Sequence, residues 1–153
     1  MAESSLDSLR KRRDIAVTFR AYELRPEGAE LLAPEVEEHY RQRVDAGWPR
    51  LQQMAMERFG LEMKQQTDRR PRPTRLAHIG AKDAIAQGRG DDYHHALFRA
   101  HWQEQRDISA PDTLVAIAEE LGLDGAAYRA GLSNPDYRAE VEADLYWAWQ
   151  QEL

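Results

Sequence analysis

With 153 residues, 42% of them hydrophobic and 31% charged, the chain has the size and balance of one globular domain with its own core. A formal net charge of −6 argues against general nucleic-acid binding, and the basic clusters KRR (11–13) and RRPRPTR (69–75) carry no interleaved aromatic residues for base stacking. There is no cysteine, which excludes disulfides, thiolate nucleophiles and Cys-ligated metals from these residues. No apolar run approaches the roughly 20 residues needed to cross a bilayer. The opening MAESSLDSLRKRR has no apolar segment behind its charges. The expectation is a cytoplasmic protein with neither membrane nor nucleic acid as a partner.

In chain order, residues 4–13 suggest a short helix or the end of one, with Leu6 and Leu9 three apart. Residues 15–24 are different. Ile15, Val17 and Phe19 alternate with Ala16, Thr18 and Arg20, the period of a strand. A turn and connector follow in RPEGAELLAP. From Pro34 a helix with Val36, Tyr40 and Val44 at four-residue spacing is predicted, broken at Gly47-Trp48-Pro49 by the bias on the residue before proline. It resumes through Leu51, Met54, Ala55 and Phe59, and Gly60 is its expected C-cap. EMKQQTDRRPRP is polar and proline-punctuated, a loop.

Thr74 is the expected cap of a helix to about Gln87, closed by Gly88 and Gly90. Asp91 or Asp92 caps the next. Its stripe is Tyr93, Ala96, Leu97 and Ala100, with Phe98 and Trp102 on the opposite side, which places it in the middle of a bundle. In SAPDTLVAIAEELG, Ser109 is the expected cap and Pro111 and Asp112 fall in the first turn. Leu114, Ile117, Ala118 and Leu121 form the stripe and Gly122 the stop. A short helix over 124–131 precedes one from Asn134-Pro135 to the C-terminus, with Tyr137, Val141, Leu145 and Trp149 on one face. The sum is about six helices and one strand without an obvious partner in the chain.

Self-contained chemistry is sparse. His94, His95 and His101 with Asp91 and Asp92 are the only metal-like cluster, but no histidines stand four apart as in HExxH, and solvated positions near a helix start explain them better. Adjacent carboxylates such as Glu37/Glu38 and Glu119/Glu120 point in different directions on a helix. No metal site and no catalytic residue are expected.

Three stretches together resemble a known family. FRAYELRPEG (19–28) is similar to the strand and turn leading out of the first half of a thioredoxin fold in DsbA-type proteins. PTRLAHIGAKDAIAQG (73–88) and ALFRAHWQEQRDISAPDTLVAIAEELGLD (96–124) resemble that family's helical insertion. The branch resembled is that of the FrnE-like and 2-hydroxychromene-2-carboxylate-isomerase-like members. The resemblance implies a mainly α fold: a bundle of about six helices of the DsbA helical-domain type, with one N-terminal strand left from a thioredoxin fold. Residues 1–28 would be the thioredoxin-like remnant and 29–153 the helical insertion with its return helix. It also implies that Thr74, Arg75 and His78 line a ligand groove.

The family's Cys-x-x-Cys motif and its Gly-Val-Pro turn have no counterpart between Met1 and the closing DLYWAWQQEL. The expectation is therefore a truncated thiol-disulfide oxidoreductase, inactive alone because its chemistry needs a thiolate of lowered pKa or a glutathione held beside one. The alternative is a non-catalytic helical module that binds a partner or a glutathione-like thiol ligand. In either case the orphan strand would pair with missing thioredoxin-fold segments or with a second copy in a homodimer.

Overall fold

The computed structural model describes residues 9, 12–15, 17–24, 26, 33–66 and 72–152. The chain divides into two compact units, one of residues 1–19 and 30–65, the other of residues 20–29 and 66–153. Among the described residues there are six helices: α1 (Pro34–Phe59), α2 (Arg75–Ala86), α3 (Gly90–Trp102), α4 (Pro111–Glu120), α5 (Gly125–Gly131) and α6 (Pro135–Gln150). The mainly helical expectation holds. The helix expected over 4–13 lies mostly outside the described residues, where Leu9 and Arg12 are helical.

In the first unit α1 is one continuous helix, and the break expected at residues 47–49 does not occur. Proline lacks the N–H that would bond the carbonyl of Asp45, a local cost of about 3 kcal/mol in a helix interior. The constraint on the preceding residue is a bias only, and Trp48, 8% exposed, is held by burial. Pro34 in the first turn, Glu35 and Glu37 beside it and Arg58 in the last turn suit the helix dipole. Gly60 ends the helix at φ 63°, with its N–H on the Met56 carbonyl at 2.9 Å, as expected of a left-handed C-cap. Val36 and Tyr40, expected on the buried face, are exposed, whereas Trp48 and Ala55 are buried. Steps of four residues overshoot a turn by about 40°, so a stripe at strict four-residue spacing winds away from the covered side.

The second unit is organised around α2, which touches α3, α4, α5 and α6. Its inward side is Ala77, Ile79, Gly80, Asp83 and Ala84, small enough to let neighbours approach closely. Tyr93 from α3 and Tyr128 from α5 meet over Gly80, the Tyr128 hydroxyl donating to that of Tyr93. The main core adds Ala96, Ala100, Leu114, Val115, Ile117, Ala118 and Leu132. α3 is therefore not the central helix. Phe98 is 44% exposed and lies against His94, with ring centroids 4.7 Å apart. The Leu114, Ile117 and Ala118 stripe is buried as the sequence predicts.

Some caps differ from expectation. Ser109 does not cap α4, because its N–H and Oγ both go to Asp107 Oδ1, at 3.0 and 2.5 Å, and Ala110 takes the cap position. Arg89, not Asp91 or Asp92, precedes α3, and both acids sit in its first turn. Thr74 does stand at the cap of α2, without a side-chain cap bond. The helices expected from 124 and from Asn134-Pro135 form, and Asp124 and Asn134 cap them by accepting from Ala127 N–H and Asp136 N–H. On α6, Val141, Asp144 and Ala148 are buried, and Trp149 is 71% exposed by the same four-residue drift.

Among the described residues of 15–24 none is in a strand. From residue 17 on, the period-two pattern nevertheless survives as burial, whereas Ile15 is exposed. Val17 and Phe19 are half-buried and Ala21 and Glu23 buried, while Thr18, Arg20, Tyr22 and Leu24 are exposed.

A methyl group on Gly80 would overlap the Tyr128 hydroxyl and come within 2.8 Å of that of Tyr93. Gly80→Ala is expected to lower unfolding stability by about 1–3 kcal/mol in urea titrations. Gly47→Ala on α1, where nothing lies within 4 Å, is expected to raise it by about 0.5–1 kcal/mol.

Candidate functional site

The densest polar arrangement of the second unit lies where residues 20–23 dock on α2 and α6. Asp144 of α6, with a side chain only 7% exposed, accepts from three donors. These are Lys82 Nζ of α2 at 2.6 Å, Arg20 Nη1 at 2.9 Å and the Ala21 backbone N–H at 3.0 Å. Two residues on, the buried Glu23 carboxylate accepts Arg75 Nε at 2.6 Å and Nη2 at 2.8 Å, the two-pronged geometry a guanidinium favours. Between these pairs, His78 Nε2 lies 3.0 Å from the Tyr22 carbonyl oxygen and 3.4 Å from Thr74 Oγ1. A carbonyl can only accept, so Nε2 carries the ring proton. Glu142 and Glu140 stand farther off, 3.9 Å from Arg75 and Lys82. Beneath the polar groups Ala21 packs with Ile79 and Val141, and above them the Arg20 guanidinium lies 4.6 Å from the centre of the Trp147 ring.

Burial by itself would raise the Asp144 carboxyl, but its hydrogen bonds from Lys82, Ala21 and Arg20 outweigh that and hold it below 3.8. His78 moves the other way from a cation's usual gain. Burial lowers it from 6.5, helped by Arg75 and opposed by the Tyr22 carbonyl, Glu23 and Asp144. The docked segment thus rests on an ionised carboxylate and a neutral imidazole. The arrangement binds one stretch of backbone, and its strongest cation contacts are already with carboxylates of the same chain.

The comparison with known families settles the lineage. The family model of the DsbA-like thioredoxin domain matches residues 1–150. The chain belongs to that family. It is 29% identical over 152 residues to the uncharacterized protein YwbO of Bacillus subtilis (strain 168), a match covering 99% of this chain and 74% of that protein. The solved structure of selenomethionine 2-hydroxychromene-2-carboxylate isomerase (HCCA isomerase) shares the fold, with a TM-score of 0.75 at 18% identity over 99% of this chain and 73% of that one. The helices described above fit a DsbA-type helical domain.

Within this DsbA-like chain, Thr74, Arg75 and His78 come together at the N-terminal end of α2, Arg75 bonded to Glu23, His78 to the Tyr22 carbonyl, and Thr74 beside the His78 ring. Lys82, Asp144, Glu23 and Arg20 complete the site and were not singled out in the sequence. One signal was present: Arg75, His78 and Lys82 follow a three- and four-residue spacing and so share a helix face. Asp144 gave none, because it lies outside the expected stripe of Tyr137, Val141, Leu145 and Trp149. The histidine cluster is elsewhere. His95 Nδ1 is 2.6 Å from the Asp91 carbonyl oxygen, and His101 lies edge-on to Trp102 at 4.6 Å. Among the described residues no group of three or more His, Asp or Glu could hold a metal ion, and no helix is long and apolar enough to cross a membrane.

Asp144→Asn leaves Lys82 beside a neutral amide in a buried setting and is expected to cost about 3–5 kcal/mol in urea unfolding. Arg129→Ala, at an exposed pair with Asp112, is expected to cost at most about 1 kcal/mol. Because the folded Asp144 pKa lies below 3.8, the unfolded chain takes up the proton first as pH falls. The Asp144 contribution is thus present above that range and lost below it, and the acid limb of the wild-type curve should be flatter in Asp144→Asn.

Proposed function

We propose that these 153 residues serve as a recognition module of the DsbA-like type and perform no thiol–disulfide exchange themselves. The observation that carries this reading is the absence of any cysteine from the chain. Exchange proceeds by attack of a thiolate on a disulfide sulfur, and no other side chain supplies that nucleophile. What the chain does supply is a helical surface with Arg75, Lys82 and Arg20 gathered at one place. The purified chain is expected to reduce insulin, or to oxidise a dithiol peptide, no faster than buffer does. Turnover above that background, in protein free of contaminating oxidoreductase, would overturn the proposal.

For the ligand, the three cations favour a molecule bearing carboxylates, such as glutathione. The name of the HCCA isomerase, which specifies a carboxylate, points the same way. A carboxylate ligand would have to compete with Glu23 and Asp144 or use the outer sides of Arg75 and Lys82, now 3.9 Å from Glu142 and Glu140. A homodimer paired through residues 15–24 meets a similar limit. Asp144 occupies the Ala21 N–H and His78 the Tyr22 carbonyl, so a strand pairing at those two residues would have to displace those side chains. Glutathione titrated against the chain is expected to perturb tryptophan fluorescence through Trp147, beside Arg20. An unchanged spectrum at millimolar glutathione would rule this ligand out.

A further inference from the structure

In the first unit α1 carries a second line of side chains, apart from the one that buries Trp48 and Ala55. Val36, Tyr40, Arg43, Gly47, Arg50 and Met54 are all exposed. They follow one another by alternating steps of four and three residues, so they stay in line along one edge of the helix for about 27 Å. That alternation is the spacing of a seam that meets another helix. Two features separate it from an ordinary solvated face. Gly47 stands near the middle of this 26-residue helix, and nothing lies within 4 Å of where its Cβ would be. No contact within the chain therefore requires a glycine there, although it weakens the helix. A second helix crossing at that point would require it, since a missing side chain lets two backbones approach closely. The other feature is charge. Arg41, on a different side of α1, is taken by Glu37 and Glu38. The guanidinium groups of Arg43 and Arg50 make no ion pair among the described residues. Both stand on the seam, no acid does, and the chain as a whole has a net charge of −6.

We propose that this edge of α1 docks an acidic amphipathic helix of another protein, with carboxylates opposite Arg43 and Arg50 and apolar residues against Val36, Tyr40 and Met54. Charge decides among the possible occupants. A second copy of the chain would bring arginine to arginine. In a parallel pair Arg43 and Arg50 would each face their own counterpart, and in an antiparallel pair crossing at Gly47 the one would fall beside the other. Like charges at the core of a helix pair oppose its formation. A carboxylate on the docked helix instead neutralises each guanidinium and matches its two-pronged donor geometry. An anionic membrane fits less well. The line offers only three large apolar side chains, and acids elsewhere on α1, among them Glu35 and Glu57, would be brought to lipid phosphates. This surface shares no residue with that of Arg75 and Lys82, and its role stands whether or not the chain binds glutathione.

The test uses synthetic helical peptides of about three heptads, with leucine at the core positions except for two that meet Arg43 and Arg50. One peptide carries glutamate at those two positions and a second carries lysine. A third has the composition of the first in scrambled order. Titrated into the full chain and followed by calorimetry, the glutamate peptide is expected to bind at least about tenfold tighter than either of the others. NMR shifts should centre on Gly47, and affinity should fall as salt rises. In the double variant Arg43→Glu, Arg50→Glu the order should invert, lysine over glutamate. Should that variant fail to fold, Gly47→Leu serves instead, because leucine favours the helix while blocking close approach. It should weaken binding of the glutamate peptide by about tenfold. Equal binding of the three peptides, an order that does not invert, or undiminished affinity in Gly47→Leu would each overturn the proposal. So would preferential binding to phosphatidylserine vesicles, or self-association of the wild-type chain that Gly47→Leu abolishes.

Discussion

One carboxylate joins parts of the second unit that are remote in sequence. Asp144 accepts from Lys82, Ala21 and Arg20, which stand 62, 123 and 124 residues away along the chain. A carboxylate buried without partners would shift its pKa and neutralise, since an unpaired charge costs several kcal/mol in a low-dielectric interior. Its three donors reverse that preference, and Asp144 stays ionised below its ordinary range. The position of α6 on α2 and that of residues 20–23 on both are therefore coupled through one group. The Glu23 and Arg75 pair repeats the logic two residues later, with its carboxylate 3% exposed.

The second constraint is steric and belongs to α2. A helix that touches four others needs a slim surface, and Ala77, Gly80 and Ala84 provide it. Gly80 leaves the room into which the Tyr93 and Tyr128 hydroxyls turn, and the buried Tyr128 hydroxyl donates to that of Tyr93. Burial raises both phenols well above their ordinary pKa, so the pair remains protonated and acts as a hydrogen-bonded spacer. α3, which carries the bulkier Phe98 and Trp102, lies to one side, with Phe98 44% exposed at the border between core and solvent.

The place where this DsbA-like chain could recognise something is thus built mainly for holding a piece of itself. Cations gathered at one end of a helix pair commonly indicate an anionic ligand, yet here the anions come from Glu23 and Asp144. The inner sides of Arg75 and Lys82 are thus already paired within the chain. No cysteine stands among these 153 residues, so they supply no thiolate.

Helix existence, the α4 stripe, the Gly60 stop and the helix starts near 124 and 134 were legible in the sequence, because each depends on residues within one or two turns of one another. So was the alternation of residues 15–24, and Arg75 and His78 were marked by resemblance. The sequence could not show that the alternating segment would be satisfied by side chains from α2 and α6 in place of a strand ladder. Nor could it show that α1 would continue through Pro49, or that Asp144 would turn inward while Trp149 turned out. Local propensity ranks backbone states by a few kcal/mol at most. Which state is occupied then depends on what arrives from elsewhere in the chain to bury an indole, neutralise a carboxylate or accept an N–H. Those contacts lie as much as 124 residues apart, and only the tertiary structure brings them together.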